Sequence, residues 1–245
     1  MAAGRDRGLN PAGESGFAAG RPYELWLPPT EPPWPAMIVI HGAGSRKENH
    51  SDFARVAAAA GWVAISYDQR GHGADRDSFS PSVVGDVITI AAFLGERDGI
   101  DRTRICVRGS SMGGLVAIEA AARSGLIAAV IAVCPADPKS LLAGLERDAF
   151  DFRLDPELRG AVELWLQNCD SLAAARALAP RALIVMHAEG DEQVPSTGSR
   201  RLIAAAGEPK RLILVPGGHH RSLQHDPEMQ AAGLRWIACQ LAERA

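Results

Sequence analysis

The sequence predicts an α/β fold: a mostly parallel central sheet with helices on both faces. Three observations carry this. Six short runs are continuously apolar and rich in β-branched residues, which marks strands buried on both faces. Segments of helical character separate most of them, and strand–helix–strand alternation closes only as a parallel sheet. A chain of 245 residues with 47% hydrophobic and 22% charged residues suits one large globular domain with room for a modest insertion.

Taken in order, "RPYELWLP" (21–28) alternates and reads as an antiparallel edge strand, ended by the prolines that follow. The apolar runs are "AMIVI" (36–40), "WVAISY" (62–67), "RICVRG" (104–109), "AAVIAVC" (128–134), "ALIVMH" (182–187) and "RLILVP" (211–216). Helices are predicted over Glu48–Ala60, Pro81–Glu96, Met112–Arg123, Ser196–Ala206 and Glu228–Glu243. The rhythm breaks at 137–180, which holds helical pieces and no strand. Segments 1–136 and 181–245 are therefore expected to form the core, with 137–180 a small helical cap.

Composition narrows the function. A net charge of −3 and the lack of any basic run speak against nucleic-acid binding; of the 26 basic residues only Lys47, Lys139 and Lys210 are lysines. No apolar stretch approaches a membrane span. The opening "MAAGRDRGLNPAGESG" has no apolar segment of the signal-peptide kind and reads as a lead-in. Cys106, Cys134, Cys169 and Cys239 lack metal-ligand spacing; the first two lie in strand-like runs, predicting buried thiols and a reducing, cytoplasmic setting. No metal or cofactor is expected.

The chemistry starts at "VRGSSMGGLVAIEAAA" (107–122), where Gly109-Ser110-Ser111-Met112-Gly113 is a G-x-S-x-G pattern between a predicted strand and a predicted helix. A hydroxyl that must stand clear of a sheet needs a very tight strand-to-helix turn, and the residues two before and two after it must then be small. Only Ser111 has glycine at both places, so it is the candidate nucleophile. No Lys-Ser/Thr pair follows, which excludes a phosphate-binding P-loop. A serine nucleophile needs a base, and the base an orienting acid. "ALIVMHAEGDEQVP" offers Asp191 after one strand, and "RLILVPGGHHRS" offers His219 and His220 after the next. All three stand at carboxyl ends of predicted strands, where open α/β sheets bind ligands.

With these residues the sequence resembles the α/β-hydrolase superfamily, over most of its length. It looks like the esterase and dienelactone-hydrolase-like or acyl-peptidase-like branches, whose His-Gly-x-x-Asp-x-x-Val-Pro pattern stands here as His187-Ala188-Glu189-Gly190-Asp191-Glu192-Gln193-Val194-Pro195. Ala188 departs from it, and Ser111 stands where dienelactone hydrolases have cysteine, so that chemistry is not implied. The resemblance implies a triad of Ser111, Asp191 and His219, the histidine directly after the glycine pair, with His220 the alternative base and Glu192 or Asp137 alternative acids. It also implies an oxyanion hole formed by the Met112 and Ala43 amides, the latter in "HGAG" (41–44). His41 and "YDQRGHGAD" (67–75) are expected to be structural, and His50 and His225 to lie at the surface. Arg46 and Lys47 are read as contacts for an anionic group or as a solvated helix start.

The expected function is a short- to medium-chain carboxylesterase acting on a small-molecule ester. A small amidase or peptidase of the same fold is the second reading, and a non-catalytic ligand-binding member the third. The oligomeric state is not legible.

Overall fold

The computed structural model describes residues 13–244, so the first dozen residues of the lead-in lie outside the described part. Eight strands form one sheet in the order β1-β2-β4-β3-β5-β6-β7-β8. The strands are β1 Glu14–Ala18, β2 Arg21–Trp26, β3 Trp34–Ile40, β4 Val63–Tyr67, β5 Ile100–Ser110, β6 Ala129–Val133, β7 Ala182–Ala188 and β8 Lys210–Val215. From β4 to β8 across the sheet every pairing is parallel, while β2 runs antiparallel to both β1 and β4. Thus β2 is not an edge strand. The edge on this side is β1, a short strand whose sequence ESGFA carries no apolar run to announce it.

The helices are α1 Ser51–Ala59, α2 Val83–Gly95, α3 Met112–Arg123, α4 Pro138–Glu146, α5 Pro156–Asn168, α6 Ser171–Ala177, α7 Thr197–Ala205 and α8 Pro227–Ala242. One 3-10 turn, Lys47–His50, precedes α1. Three helices start with the same local device. Asp137, Asp155 and Asp226 each accept a backbone N–H of the first turn, and a proline pre-set for the helix follows.

Alternation along each strand divides the core into two layers. Ile38 and Ile40 of β3, Val107 of β5 and Val185 of β7 face the layer of α2, α3 and α7. Met37, Val39, Cys106 and Met186 face the layer of α1 and α8. Residues 137–180 hold α4, α5 and α6; α4 packs on α5, whereas α6 packs back on α3 and α7. Among the described residues no helix is long and apolar enough to cross a membrane.

Candidate active site

At the end of β5 the chain reverses into α3 through Ser111, which sits at φ 54° and ψ −121°. A non-glycine residue held there costs roughly 1–3 kcal/mol and persists only where its surroundings fix it. Here the Ser111 N–H donates to the Val133 carbonyl at 2.9 Å, and the Ser111 carbonyl accepts from Gly114 N at 2.9 Å and Ala136 N at 3.0 Å. The flanking glycines make the turn possible. A Cβ on Gly109 would collide with the Gly113 carbonyl, and one on Gly113 would lie 2.5 Å from the carbonyl oxygens of Ile40 and His41. The geometry therefore explains the residue types the sequence places there.

Asp191 lies in the loop after β7 with its side chain fully shielded from solvent. Its Oδ1 accepts from the backbone N–H groups of Gln193 at 2.9 Å and Val194 at 2.8 Å. Its Oδ2 lies 2.7 Å from His220 Nδ1 and 3.3 Å from His187 Nε2. Burial alone would raise the carboxyl, but hydrogen bonds from His187, His220 and Val194 outweigh it and hold Asp191 well below the usual carboxylate range. The alternative acids take backbone N–H groups instead of the imidazole. Asp137 caps α4 by accepting Ser140 N at 2.7 Å, and Glu192 accepts the backbone N–H of His220 at 3.1 Å.

The structure pairs Asp191 with His220, not with the expected His219. Gly217 and Gly218 both adopt left-handed φ, 69° and 74°, and carry the chain through a turn in which His219 faces solvent. Ser222 holds His219 by its backbone, accepting from His219 N at 3.1 Å and donating from Oγ to the His219 carbonyl at 2.7 Å. The His219 ring accepts from Arg221 N at 3.2 Å. The next residue, His220, enters the interior and is 5% exposed.

Ser111 and His220 open on one cleft of about 890 Å³, lined also by Gly42, Ala43, Leu141 and Phe150. The loop after β3 leans on the elbow, since a Cβ on Gly42 would lie 3.1 Å from Ser111 Cβ. His41 fixes this loop: Nδ1 lies 2.8 Å from the Gly42 carbonyl and Nε2 accepts from Gln69 N at 3.1 Å. Among the described residues, neither the Ala43 nor the Met112 N–H meets a backbone or side-chain acceptor. Met112 is the first residue of α3, where N–H groups have no intrahelical partner.

The neighbourhood corrects further expectations. Lys47 is buried and bound to Asp68, Nζ to Oδ2 at 3.0 Å, so it neither greets a ligand nor begins a solvated helix. Asp68 also accepts from Lys47 N and Ala74 N, which makes the 67–75 turn a packed scaffold. His50 is 1% exposed rather than at the surface, while His225 is exposed. Of the apolar residues in 137–180, Leu141 and Phe150 line the cleft; Phe152 and Trp165 pack on Phe79.

Sequence reading missed one neighbour of Asp191. Cys134, at φ 43° directly after β6, offers Sγ within 4.8 Å of ligand atoms of Asp191 and His220. The three together have metal-ligand types, but burial, helped by the adjacent carboxylate, pushes the thiol up to about 12. The sulfur is thus protonated at neutral pH, and the cluster's chemistry is that of a carboxylate–imidazole pair beside a thiol. All four cysteines are free.

A family model described as the alpha/beta hydrolase family matches residues 37–168, more than half of the chain. An uncharacterized protein of Mycobacterium tuberculosis is 28% identical over 196 residues, which are 80% of this chain and 64% of that protein. The chain therefore spans somewhat less than two thirds of the length of that relative. An alpha/beta hydrolase, GrgF, from Penicillium sp. sh18 superposes with a TM-score of 0.74 at 18% identity, covering 91% of this chain and 94% of its own. A monoacylglycerol lipase from Paleococcus ferrophilus gives 0.72 at 19% identity, over 90% and 99%. At such identities the structural likeness establishes the fold.

Proposed function

The chain belongs to the alpha/beta hydrolase family, and from that premise we propose that it is a serine hydrolase of carboxylic esters, with Ser111, His220 and Asp191 as its triad. The observation that carries this reading is the pairing of a strained serine elbow with a buried Asp191–His220 hydrogen bond on a single cleft. Asp191 accepts the Nδ1 proton of His220, which leaves Nε2 bare as the basic nitrogen.

His220 Nε2 takes the Ser111 proton as Oγ attacks the ester carbonyl. The negative charge that develops on the carbonyl oxygen is met by the Ala43 and Met112 N–H groups; one such donor is worth roughly a hundred- to a thousandfold in rate. Imidazolium, stabilised by Asp191, returns the proton to the departing alcohol. Water then adds to the acyl-enzyme by the same route and releases the acid. The residues present supply every proton transfer, so no cofactor is invoked.

Ala136, Leu141, Phe150 and Val194 give the cleft an apolar floor, while Asn49, Arg147, Asp151, Gln193 and Arg221 give it a polar rim. This supports a small-molecule ester with a short acyl chain and a polar alcohol over a long-chain lipid. The test is turnover of p-nitrophenyl esters from acetate to palmitate beside matching anilides. We expect an optimum at short chains, esters ahead of anilides, and loss on the order of a millionfold in Ser111→Ala. Undiminished turnover in Ser111→Ala would end the proposal.

A further inference from the structure

Arg108 lies in β5 three residues before Ser111 and is 1% exposed. A guanidinium this deeply buried is ordinarily matched by a carboxylate. Among the described residues Arg108 has no such partner within ion-pair distance. Its Nη1 donates to His50 Nδ1 at 3.0 Å, its Nη2 donates to the Gln224 carbonyl at 3.1 Å, and its Cζ lies 4.9 Å from the centre of the Phe53 ring. With no carboxylate competing for these donors, the cation's pull falls on one imidazole and one peptide carbonyl.

That carbonyl belongs to the loop of the proposed base. Gln224 is four residues past His220, and its own Nε2 donates to the His220 carbonyl at 3.3 Å. The Gln224 carbonyl takes a second donor, Gln230 Nε2 at 2.9 Å, from α8. Gln230 Nε2 also reaches Asp52 Oδ2 at 2.8 Å, and His225 Nδ1 lies 2.9 Å from the same oxygen. The path from nucleophile strand to base loop is thus two hydrogen bonds long, Arg108 to Gln224 and Gln224 to His220.

We infer that Arg108 is a positioning residue: its charge-assisted grip on the Gln224 carbonyl ties the His220 loop to the strand that carries Ser111 and keeps the imidazole on Asp191. This rests on the hydrolase reading above. The bond is of the stronger, charged kind. Ser111 itself is set by the elbow, so loosening the clamp displaces the base relative to a nucleophile that stays fixed. Such a loss appears in kcat and spares KM.

The test uses Arg108→Met, which keeps the bulk over Phe53 without the charge, and Arg108→Lys, which keeps the charge without the planar fork. Thermal unfolding checks the fold. The readouts are kcat and KM on p-nitrophenyl acetate, the rate at which a fluorophosphonate labels Ser111, and the downfield proton NMR signal of the His220 Nδ1–H. We expect Arg108→Met to lose at least about tenfold in kcat, within the hundredfold that an ångström of misplacement costs. KM should stay within about twofold, labelling should slow in parallel, and the downfield proton should broaden. Arg108→Lys should fall between the two. A folded Arg108→Met with parental kcat, labelling rate and downfield signal overturns the inference. Where Arg108→Met does not fold, Arg108→Gln, which keeps a donor for His50 but is too short to hold Gln224 as well, is judged by the same criteria. A parent whose Ser111 does not label sinks the hydrolase reading alone, because the NMR signal still reports on the clamp.

Discussion

Mild acid should weaken this protein well above the pH at which its carboxylates protonate, and the cause is three histidines that the fold keeps neutral. His41 is fully buried and is pulled down to about 3, chiefly by burial and secondly by the neighbouring His72. Its hydrogen bonds agree: Nδ1–H donates to the Gly42 carbonyl, and Nε2 accepts from Gln69 N–H, so a second proton would face a donor. His50 is lowered well below its ordinary value by burial and by the Arg108 charge, whose N–H occupies its Nδ1. His72 is lowered by burial, with Nδ1 on the Arg70 carbonyl and Nε2 shut away without a partner among the described residues.

A histidine whose folded value is depressed takes its proton only on unfolding, so stability falls as pH drops below the unfolded value of about 6.5. At pH 5.5 each such group costs about 1.4 kcal/mol relative to pH 8. His41 and His50 at full weight sum to about 3 kcal/mol, and His72 adds in the same direction, against a typical total of about 5–15 kcal/mol. The depressed carboxylates, Asp191 and Asp52 among them, work in the same direction but only below about pH 4, where their unfolded counterparts protonate. Glu24 and Asp75, raised by burial, oppose the effect nearer their own range. The window from pH 8 to 5.5 therefore belongs to the histidines. The assay is urea unfolding followed by tryptophan fluorescence at both pH values. The midpoint should fall by about 1 M at pH 5.5 for a slope near 3 kcal/mol per molar. A shift under about 0.3 M would show that these rings take up protons inside the folded protein.

The site makes separable predictions. His220→Gln should lose about three orders of magnitude or more in kcat, whereas His219→Gln, whose ring faces solvent, should stay within about twofold; steady-state turnover of p-nitrophenyl acetate tells them apart. Asp191→Asn should keep the fold and lose about ten-thousandfold, since the amide no longer fixes the Nδ1–H tautomer. Gly109→Ala should destabilise by about 4 kcal/mol or more, because its methyl group meets the Gly113 backbone and neither strand nor helix can withdraw; calorimetry or soluble yield measures it.

Much of this architecture was legible because its signals are local. Continuous apolar runs sit where β3 to β8 form, and the glycine spacing around Ser111 states the close approach of β5 to α3. What stayed hidden is non-local. Strand β1 escaped because ESGFA has no apolar run, and its pairing with β2 supplies what its side chains do not. Lys47 and His50 read as surface residues because a single chain segment does not reveal that Asp68 and Arg108 wait for them across the fold. Polar residues enter a core when a partner from elsewhere satisfies them, and periodicity is blind to that partner.

The histidine pair shows the same limit at the site itself. "GGHH" places two chemically identical candidates side by side, and successive residues in a turn point in different directions. Neither spacing nor composition separates them. The choice is made from distant sequence: Glu192, 28 positions away, takes the His220 N–H, Asp191 takes its Nδ1, and Arg108, through Gln224, holds the far end of the loop. Ser222 meanwhile claims the backbone of His219 and leaves that ring outside. Which histidine meets Asp191 is thus a property of the assembled sheet, read only once β5, β7 and β8 stand next to one another.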